Sequence, residues 1–370
     1  MKFNFIKNIT ALLIFIELFF SCFNMLYWDF FIAYRKYLII FLVIINSLLV
    51  ILNEKIVIRK NFLLFFFSIL SILFYILTNI SQIFNSIENV GTYLLLINLF
   101  LTWISFRVII LSKKQINFFI VFLSIYGILF LFLNWNDTMY NPNTLATFSF
   151  PLLIFTCIFL KKYLRTFILY LIVFFVFFYF SYKNLCRSVL IGEIIFVVLC
   201  LTDFWLKPLF SRVLCWILCL GPTLLPIIWT KVWEAGIEFN LPFVNKSIYS
   251  GRERVWNAFL DSFYANPFLG IGQGSIPIPL MDYKEFTPHN FMFFILVVYG
   301  IVIYLFSVII MNKILIEQSH YAVENNYAKI AFSGLLSILI VSFFEIIPIL
   351  YIHVTIIWFL LIIVNSRKNL

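Results

Sequence analysis

The sequence predicts an all-α, polytopic integral membrane protein of about twelve transmembrane helices, with one long external loop that contains short helices. Three observations carry this. First, 64% of the 370 residues are hydrophobic and 11% are charged, with a mean hydropathy of +1.07. A soluble domain is about 45–50% apolar and about 25% charged. Second, apolar runs of about 18 residues or more recur along the whole chain, long enough to cross a bilayer as helices. Third, the runs are continuous and do not alternate with a period of two, so a transmembrane barrel is excluded. Residues 1–370 read as one membrane domain, with no internal repeat, nucleotide-binding loop, soluble domain or low-complexity linker.

The elements follow in order. Lys2 and Lys7 precede an apolar run from Ile9 to Phe20, and Cys22 to Phe31 stay bulky, with no small-residue cleavage site. This run is expected to remain as a first spanning helix. The spans are placed at 5–27, 37–53, 62–80, 91–112, 116–134, 144–160, 165–182, 188–206, 210–230, 289–311, 330–347 and 349–366. Pro348 turns the last two into a tight pair.

Charge orients them. With a cytoplasmic N-terminus, most of the 26 Lys and Arg residues fall on inner connections, for example Lys55, Arg59, Lys60, Lys113, Lys114, Lys161 and Lys162. The short outer loops then hold only Arg35, Lys36, Lys183 and Arg187. Both termini are therefore expected in the cytoplasm. The net charge of +10 serves this bias, so no nucleic-acid partner is expected; membrane lipids are. Cys22, Cys157, Cys186, Cys200, Cys215 and Cys219 form no CxxC pair. Without ligand spacing they read as small apolar side chains, and no metal or other cofactor is expected.

The long connection, 231–287, lies on the outer face in this topology, and loops of such length are usually functional. Within it, Ser250 and Glu253 have capping-box spacing. Val255, Phe259 and Phe263 follow at i, i+4 and i+8 as one apolar stripe, and Asn266-Pro267 ends the segment. A short amphipathic helix is thus expected from Gly251 to about Ala265, lying against the membrane face. Arg252 and Arg254 fall in its first turn, where the helix dipole already favours anions. Two readings fit: a phosphate group docks at this cationic helix start, or the arginines meet lipid headgroups. Trp256 shares the face of Arg252 and is placed to stack on a sugar ring or on the guanidinium.

Gly270, Gly272 and Gly274 do not make a dinucleotide fingerprint, since they follow a helix outside any βαβ unit. They read as turn glycines, with close approach of the backbone to a ligand as the alternative. Thr287 and Pro288 have the residue types of an N-cap and a first helical position. His289 is then expected in the first turn of span ten, as a general base or as a residue bonded to a headgroup or backbone carbonyl. Lys183 and Arg187 sit at the outer junction of spans seven and eight. Asn141, Pro142 and Asn143 open span six on the same side. Glu17, Glu193 and Glu345 fall within spans, where a carboxylate faces the interior as part of a proton path or as a buried hydrogen-bonding group.

Several of these segments, taken in order, resemble the O-antigen polymerase and O-antigen ligase group of bacterial envelope enzymes. "NLCRSVL" is similar to the family's Ser-Arg-small motif, with Cys186 in place of the serine before Arg187. "SGRERVWNAFLDSFYANPFLGIGQGS" resembles an Arg-x-x-x-Trp segment followed by Pro-x-x-Gly-x-Gly. "PHNFMFFILVVYGIVIYL" resembles a His-Asn motif with Gly300 beyond it, and "NPNTLA" adds a fourth match.

The resemblance covers roughly residues 135–310. It implies metal-independent glycosyl transfer at the outer face of the bacterial cytoplasmic membrane, from an undecaprenyl-pyrophosphate-linked glycan donor to a glycan acceptor. Arg187 and Arg252 would hold the pyrophosphate and His289 would serve the acceptor hydroxyl. Arg254, Trp256, Lys183, Asn290 and Asn143 would line the substrate site. The favoured activity is polymerisation of repeat units, with a chain-length regulator and a flippase as candidate partners. The alternatives are ligation to lipid A-core and, in another class, a lipid-linked oligosaccharide flippase.

Overall fold

The computed structural model describes residues 2–26, 28–53, 66, 68–70, 72–73, 76, 87–136, 142–163, 167–237, 251–271, 276–277, 285–286, 288–347 and 351–366. Its helices are α1 (Lys2–Leu26), α2 (Trp28–Leu52), α3 (Ile87–Val108), α4 (Lys113–Asn134), α5 (Pro142–Tyr163), α6 (Phe167–Lys183), α7 (Arg187–Leu201), α8 (Pro208–Glu234), α9 (Arg252–Ala265), α10 (Phe291–Ala322), α11 (Asn326–Val341) and α12 (Tyr351–Asn365). Two short strands, β1 (Ile276–Pro277) and β2 (Glu285–Phe286), pair antiparallel. The protein is thus an almost wholly helical membrane protein.

Among the described residues, five helical segments are long and apolar enough to cross a bilayer: Phe5–Met25, Lys113–Asn134, Asn143–Lys161, Pro208–Glu234 and Phe291–Ala322. Shorter apolar helices accompany them at Tyr37–Leu52, Leu94–Val108, Ile168–Lys183, Asn326–Val341 and His353–Asn365. Of the twelve expected spans, the described residues thus show five helices of full crossing length and five shorter apolar ones. Span 62–80 falls mostly outside the described residues, as do Ser250, Gly272, Gly274, Asn141, Thr287 and Pro348.

Apolar side chains facing outward recur at helical spacing, as in Ile125, Leu129 and Phe132 of α4 or Ile168, Ile172, Phe175 and Tyr179 of α6. In water such stripes would be untenable; against lipid tails they are ordinary. The centre is different. From Phe291 to Gly300 every residue of α10 is buried, and so is α12 from His353 to Val364. Around them pack α11, α3, α8 and α1, with α5 and α7 against α11.

The chain ends of the helices gather at two poles. At one pole the Ser366 hydroxyl accepts from the Leu111 amide, the Asn365 amide donates to the Ile109 carbonyl, and Lys329 pairs with Asp203. Buried Arg107 pairs with Glu317 there as well. At the other pole lie the last turns of α4, α6, α8 and α11 and the first turns of α5, α7, α10 and α12.

Several boundaries differ from expectation, the ends of α8 and α10 among them. Helix α8 runs on to Glu234, so Lys231 belongs to its last turn and pairs with Glu234 at 2.7 Å. A cation there also meets the negative helix end. Helix α10 continues to Ala322, well past residue 311, with Asn312 and Gln318 buried and Glu317 bonded to Arg107.

Candidate functional site

Helix α9 forms at Arg252–Ala265, within one residue of the expected range. Its N-cap is Gly251, at φ 84°, a left-handed conformation that glycine adopts without steric cost. The Gly251 amide donates to the Glu253 carboxylate at 2.9 Å, so the reach-back comes from the second helical residue and not from the third-residue position of a capping box. Val255, Phe259 and Phe263 are buried as the stripe requires, joined by Trp256 and Leu260. They pack on α8 and α10, so α9 is held by the bundle through this face.

The turn after α9 explains two glycines. Residues 266–271 run against α10 where its helix breaks at Gly300, with φ 81° and ψ 171°. Ile301 donates to the Pro267 carbonyl and Ile271 to the Val297 carbonyl, both at 2.9 Å. A Cβ on Gly270 would lie 2.4 Å from the Val298 oxygen, and one on Gly300 would lie 2.1 Å from the Phe268 oxygen. Backbone meets backbone here, and only glycine permits it. Gly270 thus serves close approach to a neighbouring helix.

The start of α10 is where sequence and structure part. The N-cap is Asn290, whose side chain accepts from the Phe293 amide at 3.0 Å. His289 precedes the helix, at φ 46°, and is not in its first turn. Asparagine is among the strongest N-caps, and the helix begins behind it. Asn290 is fully buried, and its amide also donates to the carbonyls of Pro222 (2.5 Å) and Phe343 (2.8 Å). The Pro222 oxygen needs that donor, because Pro226 four residues on has no N–H to give it. The neighbouring residues are tied down too. Trp256 donates its indole N–H to the Pro288 carbonyl at 2.6 Å, and Phe291 donates to the Ser342 carbonyl at 3.1 Å.

These ties fix His289. Positive φ is uncommon for a residue with a side chain and persists where surroundings over-determine it. Bonds at residues 288, 290 and 291 do that, and the imidazole is left 40% exposed. Beside it stands Glu345. One carboxylate oxygen accepts from Arg252 Nη2 at 2.7 Å; the other lies 3.7 Å from His289 Nδ1. The Arg252 guanidinium also lies over the Phe344 ring, 5.8 Å from its centroid. Three segments far apart in sequence thus meet at one carboxylate: the start of α9, the entry to α10 and the stretch after α11.

Glu345 was expected inside a span. It lies beyond it, because α11 stops at Val341 and residues 342–344 form a turn. The signal that could have placed it was Pro348, which disfavours helix just before it. The α6–α7 connection approaches the same cluster. Burial pushes the Cys186 thiol up to about 11; a hydrogen bond to Ser188 lowers it, Glu345 raises it and Arg252 lowers it. Residue 186 therefore sits in the field of that pair, and Arg187, next to it, is exposed at the first residue of α7.

The remaining candidates divide. Arg254 is exposed on α9. Asn143 is exposed in the first turn of α5. Lys183 is exposed and bonds the Trp135 carbonyl and, at 3.1 Å, the Asn136 side chain, with its ammonium 5.6 Å from the Trp135 ring centroid. Trp256 is corrected: at 1% exposure its ring is inside the protein and props Pro288, with no face open to a sugar. Asn290 is corrected likewise, since it is a buried clip whose amide N–H groups are engaged.

The in-span carboxylates are separate from this cluster. Glu17 accepts from Asn46 at 2.8 Å and from Thr355 at 3.4 Å, and Asn46 also donates to Asn98. Glu193 accepts from Ser181 at 2.8 Å. Among the described residues no group of His, Cys, Asp and Glu is placed to hold a metal ion. Comparison of the chain with family models, curated proteins and solved structures gives no significant match.

Proposed function

We propose that this chain is a membrane glycosyltransferase that polymerises undecaprenyl-pyrophosphate-linked oligosaccharide units at the outer face of a bacterial cytoplasmic membrane. The observation that carries the reading is the convergence of Arg252, at a helix N-terminus, and a conformationally held His289 on one carboxylate, with the Arg187 segment alongside. The excess of basic residues on the connections of the opposite pole supports the outward orientation.

The chemistry follows from these groups. The acceptor hydroxyl oxygen attacks the anomeric carbon of the donor, and the bond from that carbon to the phosphate oxygen breaks. The polyprenyl diphosphate leaves with the electron pair, and its growing charge is met by Arg252 and Arg187, two planar donors suited to phosphate oxygens. His289 Nε2 takes the hydroxyl proton. The donor is already activated, so no nucleotide is consumed.

The test uses the full chain in lipid nanodiscs with a pyrophosphate-linked oligosaccharide donor, and products resolved by gel. A ladder of longer glycans, lost in Arg252→Ala and His289→Ala, is expected. Transfer only onto a lipid A-core acceptor would make the protein a ligase, and lipid movement across vesicles with no new glycosidic bond would make it a flippase.

A further inference from the structure

Arg252 is not idle in this structure: the anion it holds is Glu345. A carboxylate on the guanidinium is a competitor for the phosphate oxygens that the proposed donor would place there. It is also the group nearest His289 Nδ1, at 3.7 Å, just outside hydrogen-bond length. Its two oxygens therefore face a guanidinium cation and an imidazole.

We propose that Glu345 is a transferable counter-ion, resting on Arg252 and passing to His289 when a diphosphate takes the guanidinium. This deepens the glycosyltransferase reading and names the substrate feature the site senses, the diphosphate. The exchange needs little motion. Glu345 lies past the end of α11, outside regular helix, and its side chain is 12% exposed, between the guanidinium and the imidazole. Two other elements reach this pair: Cys186, before α7, feels the charges of both Glu345 and Arg252, and the Phe344 ring lies against the guanidinium. One Glu253 oxygen accepts from the Gly251 amide and the other is buried without a partner; Glu345 is the acid that lies against both Arg252 and His289.

The consequence is ordered chemistry. With Glu345 accepting from Nδ1–H, the imidazole is fixed in the tautomer whose Nε2 can accept a proton. When Nε2 takes the acceptor proton, the carboxylate stabilises the resulting imidazolium. No oxidant or metal enters, and the proton leaves the acceptor hydroxyl as the sugar–phosphate bond breaks. The base is thus completed only after the donor is bound, which protects the donor from attack before the site is filled. Glu345 acts through Arg252 and His289 and is a positioning residue.

The opposite movements of two parameters test this. Inorganic pyrophosphate is titrated into the purified full-length protein, as wild type, Glu345→Gln, Glu345→Asp and Arg252→Ala, with melting temperatures recorded in parallel. Glu345→Gln removes the resident anion, so pyrophosphate binds several-fold tighter, while Arg252→Ala binds it weakly. In turnover with the lipid-linked donor, Glu345→Gln lowers kcat by about 100-fold, the low end of what a general base contributes, with donor KM unchanged or lower. Glu345→Asp, which keeps the charge, recovers part of kcat. A strut would behave otherwise: weaker or unchanged pyrophosphate binding in Glu345→Gln, or kcat lost with KM raised and both variants melting early, overturns the inference. The binding arm stands apart from turnover. If wild type elongates no glycan yet Glu345→Gln binds pyrophosphate tighter, the polymerase reading fails and the displaceable counter-ion remains.

Discussion

Replacing Gly300 with alanine should uncouple the α9 segment from α10, and its cost can be worked from the backbone. At φ 81° and ψ 171° Gly300 occupies a region open essentially to glycine, where another residue costs about 1–3 kcal/mol. The new Cβ would stand 2.1 Å from the Phe268 carbonyl oxygen, which no side-chain rotation can relieve. Residues 267–271 must shift, and the Ile301–Pro267 and Ile271–Val297 hydrogen bonds weaken or break at about 1 kcal/mol each. The expected total is about 3–5 kcal/mol. Gly236 is the internal control. It has φ 70° with nothing within 4 Å of a built Cβ, so alanine there costs only the left-handed conformation, about 1–2 kcal/mol. Unfolding of the two variants and wild type in mixed micelles, followed by tryptophan fluorescence, measures both. Equal stability of the Gly300 and Gly236 variants would refute the close-approach argument and, with it, the account of how α9 is held.

Asn290→Ala should lose about 3 kcal/mol in the same assay, since the cap of α10 goes and two buried carbonyls lose their donor; His289 loses its flanking anchor, so glycan elongation should fall with it. Glu317→Ala leaves the Arg107 guanidinium, 4% exposed, without its carboxylate, and destabilises by about 3 kcal/mol, measured again by micelle unfolding. Cys186 should stay unlabelled by maleimide at pH 7.5. Its thiol is pushed up to about 11 by burial, the thiolate is the reactive form, and so labelling should appear only as pH rises toward that value, as read by mass spectrometry.

Much of the architecture was legible because its signals are local. Apolar runs mark the helices wherever they lie, since a helix satisfies its own backbone in lipid. The α9 segment could be bounded to within a residue from a reach-back glutamate, a stripe at i, i+4 and i+8, and an Asn-Pro stop. Arg252 and His289 could be singled out as unusual groups beside one long loop. Where local signals competed, the reading slipped: Thr287-Pro288 looked like a helix start, and Asn290 won because it caps the helix while bonding two other segments.

The chain by itself determined an all-helical membrane protein, the order and approximate ends of its helices, and a polar loop carrying Arg252 and Arg254. Only the tertiary structure decided what those arginines meet. Arg252 and Glu345 are 93 residues apart, and nothing in the periodicity or capping of either segment refers to the other. Trp256 looked like a surface for sugar and became a buried prop, because its N–H found the Pro288 carbonyl. Local sequence sets which residues are helical and which faces are apolar; which polar groups share a pocket depends on how those faces pack, and that is a property of the whole bundle.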